Sequence, residues 1–222
     1  SVQEAHDLAA VAHLTAIKTS LPFVHFMDGF RTSHEINKIE LLDDVDLAKL
    51  LDREAIKTFR GKTLNINRPH SRGMAENEDI YFQSVEARNR DYDIVPATVE
   101  AYMKKINELH NTDYKPFNYY GSENARYVIV AMGSVTETSK KVVADLANSG
   151  MSVGLIAVHL YRPFSREHLL SVLPKSTKRI AVLDRTREHG SIGEPLYLDV
   201  VAALKDANIE IFGGRYGLSS KN

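Results

Sequence analysis

From Tyr127 to Phe212 the chain alternates short apolar runs with longer stretches of helical period, and that alternation limits what the sequence can build. Residues 127–132 read as a strand, 135–149 as a helix capped by Ser134 and stopped by Gly150, and 152–158 as a second strand. A short helix after Ser165, a strand at 179–183, a helix at 195–207 and a strand at 209–212 complete the series. Strands that alternate with helices need right-handed crossovers, which lay helices on both faces of a parallel sheet. The expected fold class is α/β, a doubly wound parallel sheet.

The upstream part is less regular. Ser1 and Glu4 have the spacing of a capping box, and Val2, Ala5, Leu8, Ala9, Ala12 and Ala16 keep to one face of a helix running to about Thr19. The apolar run 23–27 then reads as a buried strand with no earlier strand in sequence to pair with, so residues 1–41 are expected to be the tail of a larger, here partial, α/β domain. Residues 43–110 have a helical pattern, with segments near 46–51, 79–90 and 96–109, and Pro96 suits a first helical turn. Between them 65–73 is polar and rich in breakers, an exposed loop. This is the pattern of a helical connecting arm.

Composition removes several classes of function. The 222 residues are 43% hydrophobic and 26% charged, as in a globular soluble domain, and 28 basic against 29 acidic residues leave a net charge of -1. Nothing asks for nucleic acid or an anionic membrane. The apolar runs are too short to span a bilayer and residues 1–19 lack the features of a secretory signal, so the expected location is the cytoplasm. The absence of cysteine excludes disulfides, thiolate catalysis and cysteine-ligated clusters within this chain.

Three clusters could carry chemistry. The run 22–35 passes from an apolar stretch into Asp28, Arg31, Thr32, His34 and Glu35, at the end of the expected strand where open α/β sheets gather ligands. Thr32 and Glu35 also fit a capping box for the next helix, and the two roles are compatible. Gly133 and Ser134 fall at a strand-to-helix turn whose free N–H groups suit a phosphate or carboxylate, although an ordinary capped turn has the same sequence and the further glycines of a dinucleotide site are missing. In 184–194, Arg185 and Arg187 could receive a carboxylate or phosphate bidentately, or tie an interdomain loop through ion pairs. His25, Asp28, His34 and Glu35 lack the spacing of a metal site, and no nucleophile elbow or phosphate-binding lysine loop is present.

Seven blocks, taken in order, resemble pyruvate:ferredoxin (flavodoxin) oxidoreductase. They are Asp28-Gly29-Phe30-Arg31-Thr32-Ser33-His34-Glu35; Arg72-Gly73-Met74-Ala75-Glu76-Asn77 with Ile80-Tyr81-Phe82-Gln83; Phe117-Asn118-Tyr119-Tyr120-Gly121; Met132-Gly133-Ser134; Leu160-Tyr161-Arg162-Pro163-Phe164; Leu183-Asp184-Arg185; and Gly213-Gly214-Arg215-Tyr216-Gly217-Leu218-Ser219-Ser220-Lys221. Together they cover nearly the whole chain.

The resemblance implies an internal piece of that enzyme. Residues 1–41 would be the end of the pyrimidine-binding domain, 42–118 the connecting arm, and 119–222 a domain similar to the carboxy-terminal domain of transketolase. It implies a parent enzyme that decarboxylates pyruvate oxidatively on thiamine diphosphate and Mg2+, passes electrons through [4Fe-4S] clusters to ferredoxin or flavodoxin, forms acetyl-CoA from coenzyme A, and works as a homodimer. The pyrimidine-activating glutamate, the pyruvate-contacting residues and the diphosphate domain of the family are expected outside this chain. No catalytic residue, metal or cofactor is therefore expected on the piece alone, and its role would be to position. Two alternatives remain: a noncatalytic flavodoxin-like module binding an anion such as coenzyme A, and the equivalent part of another 2-oxoacid:ferredoxin oxidoreductase.

Overall fold

The structure, a computed structural model, describes residues 1–34, 36–71 and 75–218, apart from the side chain of Arg31. Glu35, Arg72-Gly73-Met74 and Ser219-Ser220-Lys221 lie outside the described residues. In chain order the elements are α1 (Val2–Thr19), α2 (Arg31–His34), α3 (Asp44–Leu50), α4 (Arg53–Gly61), α5 (Glu78–Ala87), α6 (Asn89–Asp93), α7 (Val95–His110), β1 (Phe117–Gly121), β2 (Tyr127–Ala131), α8 (Val135–Asn148), β3 (Val153–Val158), α9 (Arg166–Val172), β4 (Arg179–Asp184), α10 (Pro195–Ala203) and β5 (Glu210–Arg215). They form two compact units, one of residues 1–2, 27–38 and 113–222, the other of residues 3–26 and 39–112.

The α/β unit holds one five-stranded sheet in the order β1-β3-β2-β4-β5. β3-β2-β4-β5 are parallel, as the alternation predicts, whereas β1 runs antiparallel to β3 with Phe117 opposite Val158 and Gly121 opposite Gly154. The sequence reading does not include β1, because its five residues carry Asn118 and Gly121 in place of an apolar run. Asn118 is buried, and its side chain accepts from Lys115 N–H at 2.8 Å and donates to Asp113 O at 2.7 Å, so its polarity serves the preceding turn.

Side-chain alternation along the strands separates two cores. Val128, Val130, Ile156, Val158, Ile180 and Val182 face one side, packed with Leu169 of α9 and Leu196 and Val200 of α10. Ala131 and Leu155 face the other with Val143 of α8. Among the described residues the buried cluster on that side draws on this one helix, and Phe212 of β5 is 54% exposed. The expected cover on both faces is thus complete on one side and partial on the other.

The helical unit is organised by α7, which buries Val95, Val99, Tyr102, Met103 and Ile106, the i, i+4, i+7, i+8, i+11 stripe of an amphipathic helix. Asn111 ends it in the left-handed conformation, φ 51°, with its N–H on Asn107 O. α1 has the expected length, but the residues it buries are Asp7, Val11, Leu14 and Thr15, not the expected alanine-rich face. Small alanines leave a helix face without a strong preference, so the tertiary partner decides. That partner is α7: Asp7 of α1, fully buried, takes bonds from Gln3 Nε2 at 3.0 Å and from His110 Nδ1 of α7 at 2.9 Å. His110→Ala should lower the stability of this unit by about 2 kcal/mol in urea titrations, since it strips a partner from a buried carboxylate.

Two further readings change. α4, absent from the sequence reading, has a good cap, Asp52 accepting from Ala55 N–H, and buries no residue; its apolar face is only one turn long, Ala55, Ile56 and Phe59. Residues 23–27 are not a strand. They belong to no helix or strand, Val24 is 84% and Phe26 62% exposed, and among the described residues no strand pairs with them. A short apolar run is consistent with a buried strand, but a strand exists only where a neighbour completes its ladder.

Candidate functional site

The sheet order places a topological switch point between β2 and β4, because the chain leaves β2 towards β3 and then crosses back to β4. Ligands of open α/β sheets bind at such a point, outside the carboxyl ends of the strands. Here β2 ends in Met132-Gly133-Ser134, opening α8, and β4 ends in Asp184-Arg185.

The crevice is filled by Asp28. Its Oδ2 accepts the Ser134 backbone N–H at the start of α8, and its Oδ1 accepts from Arg185 Nη1 at 2.6 Å. Arg185 is held in turn by Gly217 O, which accepts from its Nε at 3.1 Å. A Cβ on Gly133 would lie 2.7 Å from Asp28 Oδ2, so glycine is what lets the carboxylate approach. The Asp28 side chain is 12% exposed and that of Arg185 31%. An anion at a helix start with a guanidinium beside it is favourable on both counts.

Burial pushes the Asp28 carboxyl up, but the Ser134 donor and the Arg185 guanidinium outweigh it and hold the pKa below the usual 3.8. A carboxylate whose pKa is depressed by folding contributes stability that is present above its unfolded value and is lost as pH falls through its folded value. Asp28→Asn should therefore flatten the acid limb of the stability curve below about pH 4, read from urea midpoints measured stepwise between about pH 6 and pH 3. Tyr216, which donates to Met132 O at 3.3 Å, is pushed up to about 12 by burial and by the Asp28 charge, so it remains a neutral donor.

Asp184 does different work. It is 1% exposed and takes Leu196 N–H on Oδ1 at 2.9 Å and Tyr197 N–H on Oδ2 at 3.1 Å, so it caps α10 from the end of β4. Burial raises its pKa against those two bonds. Arg187 is engaged elsewhere: its Nη1 and Arg215 Nη1 each meet Glu194 Oε1 at 3.0 Å, while Glu194 Oε2 accepts Glu188 N–H at 2.8 Å. That N–H, followed by the two arginines, holds the Glu194 pKa down.

Of the candidates named from sequence, Asp28, Gly133, Ser134 and Arg185 come together, and Arg187 does not join them. Ser134 backs α8 with its N–H and makes no side-chain cap; the hydroxyl that closes this turn is Thr136 Oγ1, donating to Gly133 O at 2.8 Å. Thr32 lies inside α2 and is buried, so it does not cap that helix. Ser33 Oγ accepts Phe30 N–H at 2.9 Å in a turn where Phe30 has φ 64°. His34 is exposed, with Nδ1 2.9 Å from Ser33 Oγ and its ring 5.3 Å from that of Phe30. Sequence reasoning missed Tyr216 and the Gly217 carbonyl. Their signal was the Arg-Tyr-Gly ending β5, since the next parallel strand also ends at the switch-point side.

Two family models match the chain. "Pyruvate flavodoxin/ferredoxin oxidoreductase, thiamine diP-bdg" matches residues 1–104, and "Pyruvate:ferredoxin oxidoreductase core domain II" matches residues 125–219. The pyruvate-flavodoxin oxidoreductase of Enterobacter agglomerans is 54% identical over 224 residues, which are 100% of this chain and 19% of that protein. The pyruvate:ferredoxin oxidoreductase of Moorella thermoacetica is 54% identical over 223 residues, with the same shares. The mitochondrial pyruvate dehydrogenase [NADP(+)] of Euglena gracilis is 43% identical over 226 residues, 100% of this chain and 12% of that protein. The chain thus spans about a fifth of the length of the first two relatives. With both family models and the identity along the whole of this chain in agreement, the chain belongs to the pyruvate:ferredoxin/flavodoxin oxidoreductase family.

Proposed function

We propose that this chain is a positioning part of a longer thiamine diphosphate-dependent enzyme that oxidatively decarboxylates pyruvate with coenzyme A, giving acetyl-CoA, CO2 and reduced ferredoxin or flavodoxin. The observation that carries the reading is 54% identity along the whole chain to enzymes named for pyruvate and flavodoxin or ferredoxin. In this reading 1–41 completes a pyrimidine-binding domain, 42–118 is a helical arm and 119–222 is a transketolase-like carboxy-terminal domain. The other domains of the same polypeptide and a second copy of it are the partners, and the cytoplasm is the place of work. Among the described residues no helix is long and apolar enough to cross a membrane.

In this reading the segment of Asp28, Arg31, Thr32, His34 and Glu35 lies on the side of the pyrimidine-binding domain that faces the neighbouring domain. The coenzyme would supply the carbanion chemistry. The residues here do not fit it as a base or as magnesium ligands: the carboxylate at the switch point, Asp28, has both oxygens engaged, one on Ser134 N–H and one on Arg185. What these residues do is hold backbone in place. The same occupancy argues against a coenzyme A phosphate at Gly133 and Ser134.

Calorimetric titration of the chain with thiamine diphosphate and Mg2+, coenzyme A and flavin mononucleotide tests this. No saturable heat is expected from any of the three. One-to-one binding of thiamine diphosphate would overturn the positioning role, and binding of coenzyme A would favour the anion-module alternative.

A further inference from the structure

Crevices at switch points ordinarily receive a ligand from solution. In this one both donors are satisfied from within the chain, by a carboxylate 106 residues before one and 157 before the other in sequence. We propose that Asp28 is a latch: a carboxylate acting as the resident ligand of the β2–β4 crevice, fixing the turn from Phe30 to His34 against the α/β unit.

Four observations converge. The contact uses both carboxylate oxygens on donors from two different strand ends, which sets direction as well as distance. Arg185 is pre-aimed by Gly217 O, so the guanidinium does not depend on Asp28 for its placement. Gly133 leaves the carboxylate room that a Cβ, 2.7 Å from Asp28 Oδ2, would take. Most of the described side chains in the segment so held face solvent: Thr32 is buried, but Gly29, Phe30, Ser33 and His34 are exposed, Phe30 76%, and the Phe30–Ser33 and Ser33–His34 bonds are internal to the turn. A small anion in the crevice would satisfy the donors equally well but would hold no chain. The latch is therefore distinguished from an ordinary buried ion pair by what an untethered carboxylate can and cannot restore.

That this turn faces a neighbouring domain rests on the proposed function; the latch itself does not. The test uses the 222-residue chain and reads amide hydrogen exchange by mass spectrometry, with formate as the probe carboxylate. Asp28→Ala should speed exchange both at Ser134 and across residues 29–34 by about tenfold or more, the scale set by losing a charge-assisted bond to a backbone N–H. Formate at about 0.2 M should restore protection at Ser134 but not across 29–34, while chloride at the same ionic strength restores neither. Asp28→Asn, which keeps the shape and loses the charge, should show the same two-site effect more weakly and keeps the test open should the alanine variant not fold. Unchanged exchange across 29–34 in the asparagine variant would overturn the latch, as would formate restoring both regions or chloride matching formate at Ser134. None of these readings requires pyruvate chemistry, so the latch and the proposed function fail separately.

Discussion

Gly121→Val should unfold the α/β unit in thermal melts at a temperature well below that of the unsubstituted chain, with a loss of about 4 kcal/mol from backbone strain and overpacking together. Gly121 ends β1 with φ +119°, and a Cβ there would lie 2.6 Å from Val153 O, 2.8 Å from Gly154 Cα and 2.8 Å from Val143 Cγ1. Two of these three neighbours are backbone atoms of the strand that β1 pairs with, so no rotamer relieves them. Gly154, directly opposite in the register, is as tightly placed, its Cβ position 2.2 Å from Tyr119 Oη. β1, β3 and α8 meet here. Gly150→Ala is the control: that residue also has positive φ, +85°, but nothing lies within 4 Å of its Cβ, so only the conformational cost of about 1 kcal/mol applies. Equal losses at the two positions would show that close packing at Gly121 is not what requires glycine.

Asp184→Ala should cost about 3 kcal/mol in urea titrations, because it leaves the Leu196 and Tyr197 N–H groups at the start of α10 without acceptors in a buried setting. Asp184→Asn retains one good acceptor and should cost about half as much. A loss under about 1 kcal/mol for the alanine variant would mean that water reaches these groups. Burial raises the Asp184 pKa while the Asp28 pKa is depressed, so the two acids of the switch point separate into a structural cap and a charged ligand.

Residues 127–212 were legible because strands and helices there have opposite periods and clean punctuation. β2, α8, β3, α9, β4, α10 and β5 all follow from that pattern, and Ser165 caps α9 by accepting His168 N–H. What was not legible depends on partners distant in sequence. β1 is a strand because β3 lies beside it, and its Asn118 and Gly121 disguise it. Residues 23–27 form the apolar run of a buried strand, yet the described residues provide no neighbour. In α1 the buried face is chosen by Asp7, whose partner His110 lies 103 residues away.

The site shows the same division. Asp28, Gly133 and Arg185 each stood out as the right residue type at a strand end, but each was consistent with a solvent ligand, an ordinary turn or an ion pair. That they satisfy one another is a fact of topology, since the switch point brings β2 and β4 together and residues 27–38 belong to the same compact unit. Family membership was legible from block order, which depends on no three-dimensional contact.

The central claim, that this stretch positions while other parts react, is tested most directly by pyruvate-dependent reduction of a one-electron acceptor with coenzyme A, thiamine diphosphate and Mg2+ present. The assay compares the 222-residue chain with the Enterobacter agglomerans enzyme in which the corresponding stretch is replaced by this chain. The account predicts turnover by the chimera and none by the chain. Turnover by the chain alone, or a folded chimera that binds its cofactors and does not turn over, would contradict it.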